Sequence, residues 1–233
     1  MLSLEIRNTP SIKRNSRNRF ITVIRRWTYS VLGNAVILYI ETNFLMSIAK
    51  GQDEVAENLL QNIPTSVRLA MPSICYVESL TTLSQENKYT QDFLNRLDIQ
   101  ISEASREKTS QNAKLLINFL KQTQVTFQER KNDIVLRFYI AFNQLASKAE
   151  MIVLNPGMIQ ESLQRNILEK HLMDKLIFER IIYHARLYAD EIKAFLSNNY
   201  REFGKRKVVE ILQNYEIQYF NQTANFLGWL QSQ

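Results

Sequence analysis

The chemistry in this chain has to come from carboxylates, and two of them stand where a carboxylate is conspicuous. Val36, Ile37, Leu38, Tyr39 and Ile40 form an unbroken apolar run that ends on Glu41, Thr42 and Asn43. Such a run reads as a strand buried on both faces of a parallel sheet, and polar groups at its carboxyl end fall in the crevice where α/β sheets bind ligands. Asp174 stands among Leu172, Met173, Leu176, Ile177, Phe178, Ile181 and Ile182, apolar residues that cover most of a helix circumference. A carboxylate there must lie at the exposed start of the helix, be hydrogen-bonded, or meet a cation, because burying it bare costs too much. Helix capping and a cation site are both open on these grounds. Glu78 sits beside an expected apolar face of Val77, Leu80 and Leu83, and alone it reads as a solvated glutamate.

The elements that must position these acids follow from periodicity. Thr42 or Asn43 is expected to cap a helix through Phe44, Leu45, Ile48 and Ala49, and Asp53 a second one that stops at Pro64. Val67 to Met71 reads as a second strand, Pro72 as its turn and Ser73 as the cap of the helix bearing Glu78. Residues 85–148 contain no glycine or proline and carry helical apolar stripes (Leu94, Leu97, Ile101; Leu115, Leu116, Phe119, Leu120; Ile134, Leu136, Phe138, Ile140, Ala141, Leu145), so two or three long helices are expected there. Met151 to Leu154 reads as a third strand before an Asn155-Pro156-Gly157 turn. Lys193 to Ser197 reads as a fourth strand, Glu216 to Phe220 as a fifth, and Phe226 to Leu230 as a closing helix.

The segment IETNFL resembles the first catalytic segment of PIN-domain nucleases, in which a strand ends in an acid-Thr-Asn triplet and the acid binds a divalent metal. Family members normally have Asp where this chain has Glu41, one methylene longer in reach. The strand, Pro-Ser turn and early Glu78 are similar to the family's second acid segment, and Asp174 to its third. The resemblance covers about residues 35–83 and 150–232. It implies an α/β fold of PIN-like three-layer type, a short parallel sheet flanked by helices, with 85–148 as a helical insertion. It also implies that Glu41, Glu78 and Asp174 bind Mg²⁺ or Mn²⁺ and act in catalysis. Asn43 would orient a ligand or water, and Ser197 and Asn199 would support the metal shell or touch phosphate. Asn199 stands where the family has a fourth acid, with Asp190 and Glu202 nearby. Three carboxylates at one sheet edge repel, and a hard divalent cation is the expected compensation.

The expected function is therefore divalent-metal-dependent hydrolysis of single-stranded RNA. The alternatives are a catalytically weakened PIN-like RNA-binding or protein-interaction module, and a helical interaction protein whose acids only decorate the surface. The family further implies an antitoxin-type protein partner as one context, and a homodimer is a further expectation. His171 and His184 are expected to be structural or solvated.

Composition narrows the class. Five glycines and four prolines in 233 residues argue against a many-turned β sandwich. The lone Cys75 rules out an internal disulfide framework or a cysteine-rich zinc site, and suits a reducing cytoplasm. No apolar run reaches membrane-spanning length, so no membrane partner is expected. Residues 1–34 hold seven basic side chains and one acid, and the rest of the chain balances, so the whole net charge of +6 resides in this segment. It reads as a basic arm able to neutralise phosphates, as a disordered or miscalled leader, or as a transit peptide, and no site is placed there.

Overall fold

The computed structural model describes residues 35–154, 157, 159–160, 167–168 and 171–232. The basic arm, the Asn155-Pro156 turn and most of the helix expected after it lie outside these residues. Five parallel strands form one sheet: β1 (Val36–Ile40), β2 (Val67–Pro72), β3 (Glu150–Ile152), β4 (Lys193–Leu196) and β5 (Ile217–Phe220). Their order is β3-β2-β1-β4-β5. The chain runs outward from β1 through β2 to β3, then returns to β1's other side with β4. The gap between β1 and β4 is thus the topological switch point, and the carboxyl ends of these two strands flank the crevice where such sheets place ligands. All five residues of β1 are buried, as the apolar run predicts for the central strand.

Seven helices are described: α1 (Thr42–Ala49), α2 (Glu54–Gln61), α3 (Ser73–Ala104), α4 (Gln111–Lys148), α5 (Leu172–Leu187), α6 (Arg206–Asn214) and α7 (Thr223–Leu230). The acid itself, not Thr42 or Asn43, caps α1: the Glu41 carboxylate accepts the Asn43 backbone N–H. At the other end Gly51 turns the chain out of α1 at φ +65, a left-handed conformation that favours glycine. Asp53 caps α2 through the Ala56 N–H, as expected. Ser73 is not a cap; it is the first residue of α3, and Pro72 precedes it with no side-chain cap bond.

Two helices, α3 and α4, fill the region 85–148, and α3 runs unbroken from the site-bearing segment into the hairpin. The hairpin's root is fixed to the sheet domain by cations on α4. Arg137 Nε donates to the Ala49 carbonyl at 3.0 Å, and Lys148 Nζ donates to the Leu60 and Gln61 carbonyls at 2.8 and 3.2 Å. These carbonyls lie at the carboxyl ends of α1 and α2, where a positive group is favoured.

Several apolar residues lie on the other side of their helices from the one expected. Val77 and Leu80 are exposed, and α3 instead packs through Cys75, Tyr76, Ser79 and Leu83. Leu115, Leu116 and Phe119 are likewise exposed, as are Leu136 and Ile140. In the third strand, β3 ends at Ile152, with Met151 and Val153 exposed at the sheet edge. Glu216 is a turn residue at φ 58 and precedes β5. Lys193, in β4, is 1% exposed, and its ammonium donates to the Tyr188 and Ala189 carbonyls at the end of α5. No helix among the described residues is long and apolar enough to cross a membrane.

Candidate functional site

Glu41 follows the last residue of β1, and Ser197 follows the last residue of β4. Because Ile40 pairs with Leu196 in register, the two come out side by side at the carboxyl edge. Ser197 Oγ donates to Glu41 Oε1 at 2.8 Å, and the Asn43 N–H donates to Glu41 Oε2 at 2.7 Å. The Asn199 N–H in turn donates to Ser197 Oγ at 3.1 Å, and the Asn199 side-chain amide reaches Asp174 Oδ1 at 3.3 Å. A continuous path of bonds thus joins Glu41 on β1 to Asp174 in the first turn of α5. The Tyr219 hydroxyl, from β5, donates to the Ser197 carbonyl at 2.9 Å and holds this path from the outer side.

Glu78 enters from the second turn of α3, and its Oε2 accepts the Thr42 hydroxyl. Thr42 is 5% exposed and has no partner signal in the sequence beyond its place in the triplet. Cys75 lies one turn before Glu78, fully buried, and its thiol is pushed well up by burial and by the Glu41 and Glu78 carboxylates.

The electrostatics match this crowding. Glu41 is 3% exposed, and its carboxyl is pushed up to about 7. Burial is the main cause; the charges of Glu78 and Asp174 add to it, and the bonds from Asn43 and Ser197 oppose it. Asp174 is also raised, first by burial and then by Glu78, with Glu202 adding to it and His171 and Asn199 opposing it. The three acids therefore share one electrostatic neighbourhood. Glu202 joins them from the loop after β4, where it pairs with Lys205 at 2.5 Å and lies 3.5 Å from His171. Asp190, the other nearby acid in the sequence, lies just before β4 and so at the opposite, amino edge of the sheet.

In chemical type, though not in the placement of its side chains, the donor set suits a hard cation. Its ligating atoms are carboxylate oxygens, and two of the acids are held above their ordinary range by burial and by one another, which a Mg²⁺ or Mn²⁺ ion would relieve. Among the described residues no group of three or more His, Cys, Asp or Glu side chains is placed to hold a metal ion; Glu41 is turned onto Ser197 and the Asn43 N–H, and Glu78 onto Thr42. A carboxylate oxygen that accepts one hydrogen bond keeps a second lone pair, so these bonds orient the acids without exhausting them. Asn43 contributes through its backbone N–H. A small cleft lies beside this crevice, lined by Phe44, Ser47, Asp53, Leu196, Ser197 and Thr223 among others.

The two histidines part ways. His171 is exposed beside Glu202. His184 is buried in a structural chain: its Nδ1 lies 2.9 Å from the Tyr39 hydroxyl and its Nε2 3.3 Å from Glu150, which also meets Arg68.

No curated protein and no solved structure matches this sequence. A family model described as PIN domain matches residues 38–203, which span β1 to the loop after β4 and include Glu41, Glu78 and Asp174. With most of its length matched, and with a parallel sheet flanked by helices as the resemblance implied, here of five strands, the chain belongs to the PIN-domain family.

Proposed function

We propose that this protein is a divalent-metal-dependent endoribonuclease acting on single-stranded RNA, with Glu41, Glu78 and Asp174 as its metal-binding carboxylates. PIN domains as a family are nucleases that act on RNA and generally depend on a divalent metal. The observation that carries the reading for this chain is the gathering of three acids from β1, α3 and α5 into one field at the switch point, two of them raised by burial and mutual repulsion. Structural ion pairs are accompanied by cations; this cluster has no arginine or lysine bonded to any of its three members among the described residues.

A bound Mg²⁺ or Mn²⁺ would supply charge neutralisation and Lewis acidity for phosphodiester hydrolysis. The protein's own residues do the rest. Ser197 and the Asn43 N–H hold the Glu41 carboxylate in one orientation, which compensates for its longer side chain by removing rotamer freedom. Asn199 fixes Asp174 and takes the position of a fourth acid without adding charge. Thr42 orients Glu78. Residues 35–233 act in this reading as one PIN-like domain, with 85–148 as its helical elaboration and 1–34 as a basic arm.

The test is cleavage of a labelled single-stranded RNA with Mn²⁺ or Mg²⁺ by the wild type, Glu41→Gln and Asp174→Asn proteins. The reading expects cleavage by the wild type that chelation abolishes and either substitution greatly reduces. Equal background from all three proteins would sink it and leave the catalytically weakened RNA-binding module, which Asn199 in place of an acid already favours as the second reading.

A further inference from the structure

The backbone of the loop after β4 is fixed by several hydrogen bonds, and two of its side chains stand in solvent. Asn199 is held at both its backbone and its side chain, by Ser197 and Asp174. Its carbonyl accepts the N–H groups of Glu202 and Phe203 at 3.1 and 2.9 Å, and the Tyr200 carbonyl accepts that of Gly204 at 3.0 Å. Phe203 is fully buried, its ring 5.1 Å from that of Phe195 in β4. Gly204 closes the turn so tightly that a Cβ there would lie 2.5 Å from the Tyr200 carbonyl oxygen. Between these anchors stand Tyr200, 60% exposed, and Arg201, also exposed. Among the described residues neither side chain makes a hydrogen bond or ion pair.

The backbone under Tyr200 is fixed by the Gly204 N–H, while its ring stands in solvent. Residues 200–210 carry four basic and two acidic side chains, with Lys205 paired to Glu202 and Arg206 to Glu210, so Arg201 lies in a locally positive stretch beside a crevice that is otherwise acidic. A flat aromatic face and a free guanidinium on adjacent rigid positions suit a nucleotide, whose base stacks on the ring and whose phosphate pairs with the cation.

We infer that Tyr200 and Arg201 form a nucleotide subsite that holds a single-stranded RNA beside the acidic crevice, Tyr200 stacking on one base and Arg201 pairing with a neighbouring phosphate. The inference deepens the nuclease reading and rests on it for the identity of the ligand. It differs from that reading in that it needs neither metal nor turnover to be observed.

The experiment is fluorescence anisotropy of a labelled single-stranded RNA of about twelve nucleotides, within the usual span of such sites. It uses the full chain, with chelator present so that nothing is cleaved. Tyr200→Ala is expected to weaken binding about 5- to 150-fold, the range lost with one stacked base, and Tyr200→Phe to retain it. Arg201→Ala is expected to weaken binding and to lower the slope of log affinity against log salt by about one. Tyr89→Ala, on the helical hairpin, should bind as the wild type does. Wild-type affinity in Tyr200→Ala, equal losses in Tyr200→Phe and Tyr200→Ala, or no RNA binding by any protein would overturn the subsite. The parallel cleavage assay separates the two claims. Cleavage by the wild type with unchanged binding in Tyr200→Ala removes the subsite and leaves the nuclease. Selective loss of binding without cleavage under any metal removes the nuclease and leaves the subsite.

Discussion

Replacing Glu41 with glutamine should make the metal-free protein more stable at alkaline pH, although the residue lies fully enclosed at the end of the central strand. Burial and the nearby carboxylates lift the Glu41 carboxyl from its ordinary 4.5 to about 7. Because the folded value exceeds the unfolded one, the stability that the protonated acid contributes is complete below about pH 4.5. It is lost as pH rises through about 7. At about pH 8, ionised Glu41 therefore costs the fold about 3 kcal/mol. Glutamine has the same shape and carries no charge, and its carbonyl can accept from Ser197 or the Asn43 N–H, while its NH₂ group faces the other donor. Allowing for that mismatch, the net gain is about 1–3 kcal/mol, or roughly 3–10 °C in Tm for a chain of this size. Thermal denaturation of both proteins in chelator from about pH 4.5 to 8.5 reads this directly. The difference should vanish at the acid end and grow towards the alkaline end. Since most buried substitutions destabilise, a gain at alkaline pH is discriminating. A glutamine protein that is less stable at about pH 8, or a difference that does not change with pH, would refute the reasoning. Millimolar Mg²⁺ should then stabilise the wild type and not the variant, because only the ion-binding native state gains from ligand.

Other expectations follow from the same bonds. Ser197→Ala removes a buried hydroxyl that both donates to Glu41 and accepts from Asn199; chemical denaturation should show a loss of about 1–3 kcal/mol. Phe203→Ala should cost about 3–5 kcal/mol by opening a cavity against Phe195, and faster amide exchange in residues 199–204 should accompany it. Gly204→Ala should destabilise by about 1–3 kcal/mol, the same loop loosening, because the added methyl meets backbone that cannot rotate away.

Much of the sheet was legible in the sequence because a strand buried on both faces leaves an unbroken apolar run. Val36 to Ile40 and Val67 to Met71 read correctly for that reason. Asp174 was legible as an anomaly, a carboxylate on an otherwise apolar helix. Hydropathy misread the helix around it, since Lys175, Glu179 and Arg180 are all buried while Leu172 is 58% exposed. Two or three long helices were expected from the absence of glycine and proline, and two are found, but which of their faces is covered was not legible. Leu115 and Phe119 have the period of a core stripe and stand in solvent. What the sequence could not reveal is the path through Ser197 and Asn199. It depends on β1 and β4 lying side by side in register, although Glu41 and Ser197 are 156 positions apart in the chain. Thr42 was missed as Glu78's partner for the same reason: its role exists only once α3 has docked.

Crystals of the wild-type protein grown with Mn²⁺ test, through the metal's anomalous scattering, whether Glu41, Glu78 and Asp174 together hold a divalent cation. An anomalous peak is expected between these three carboxylates at the carboxyl ends of β1 and β4, and its absence in Asp174→Asn crystals. A wild-type map without a peak there, or with Mn²⁺ bound only elsewhere, would contradict that expectation.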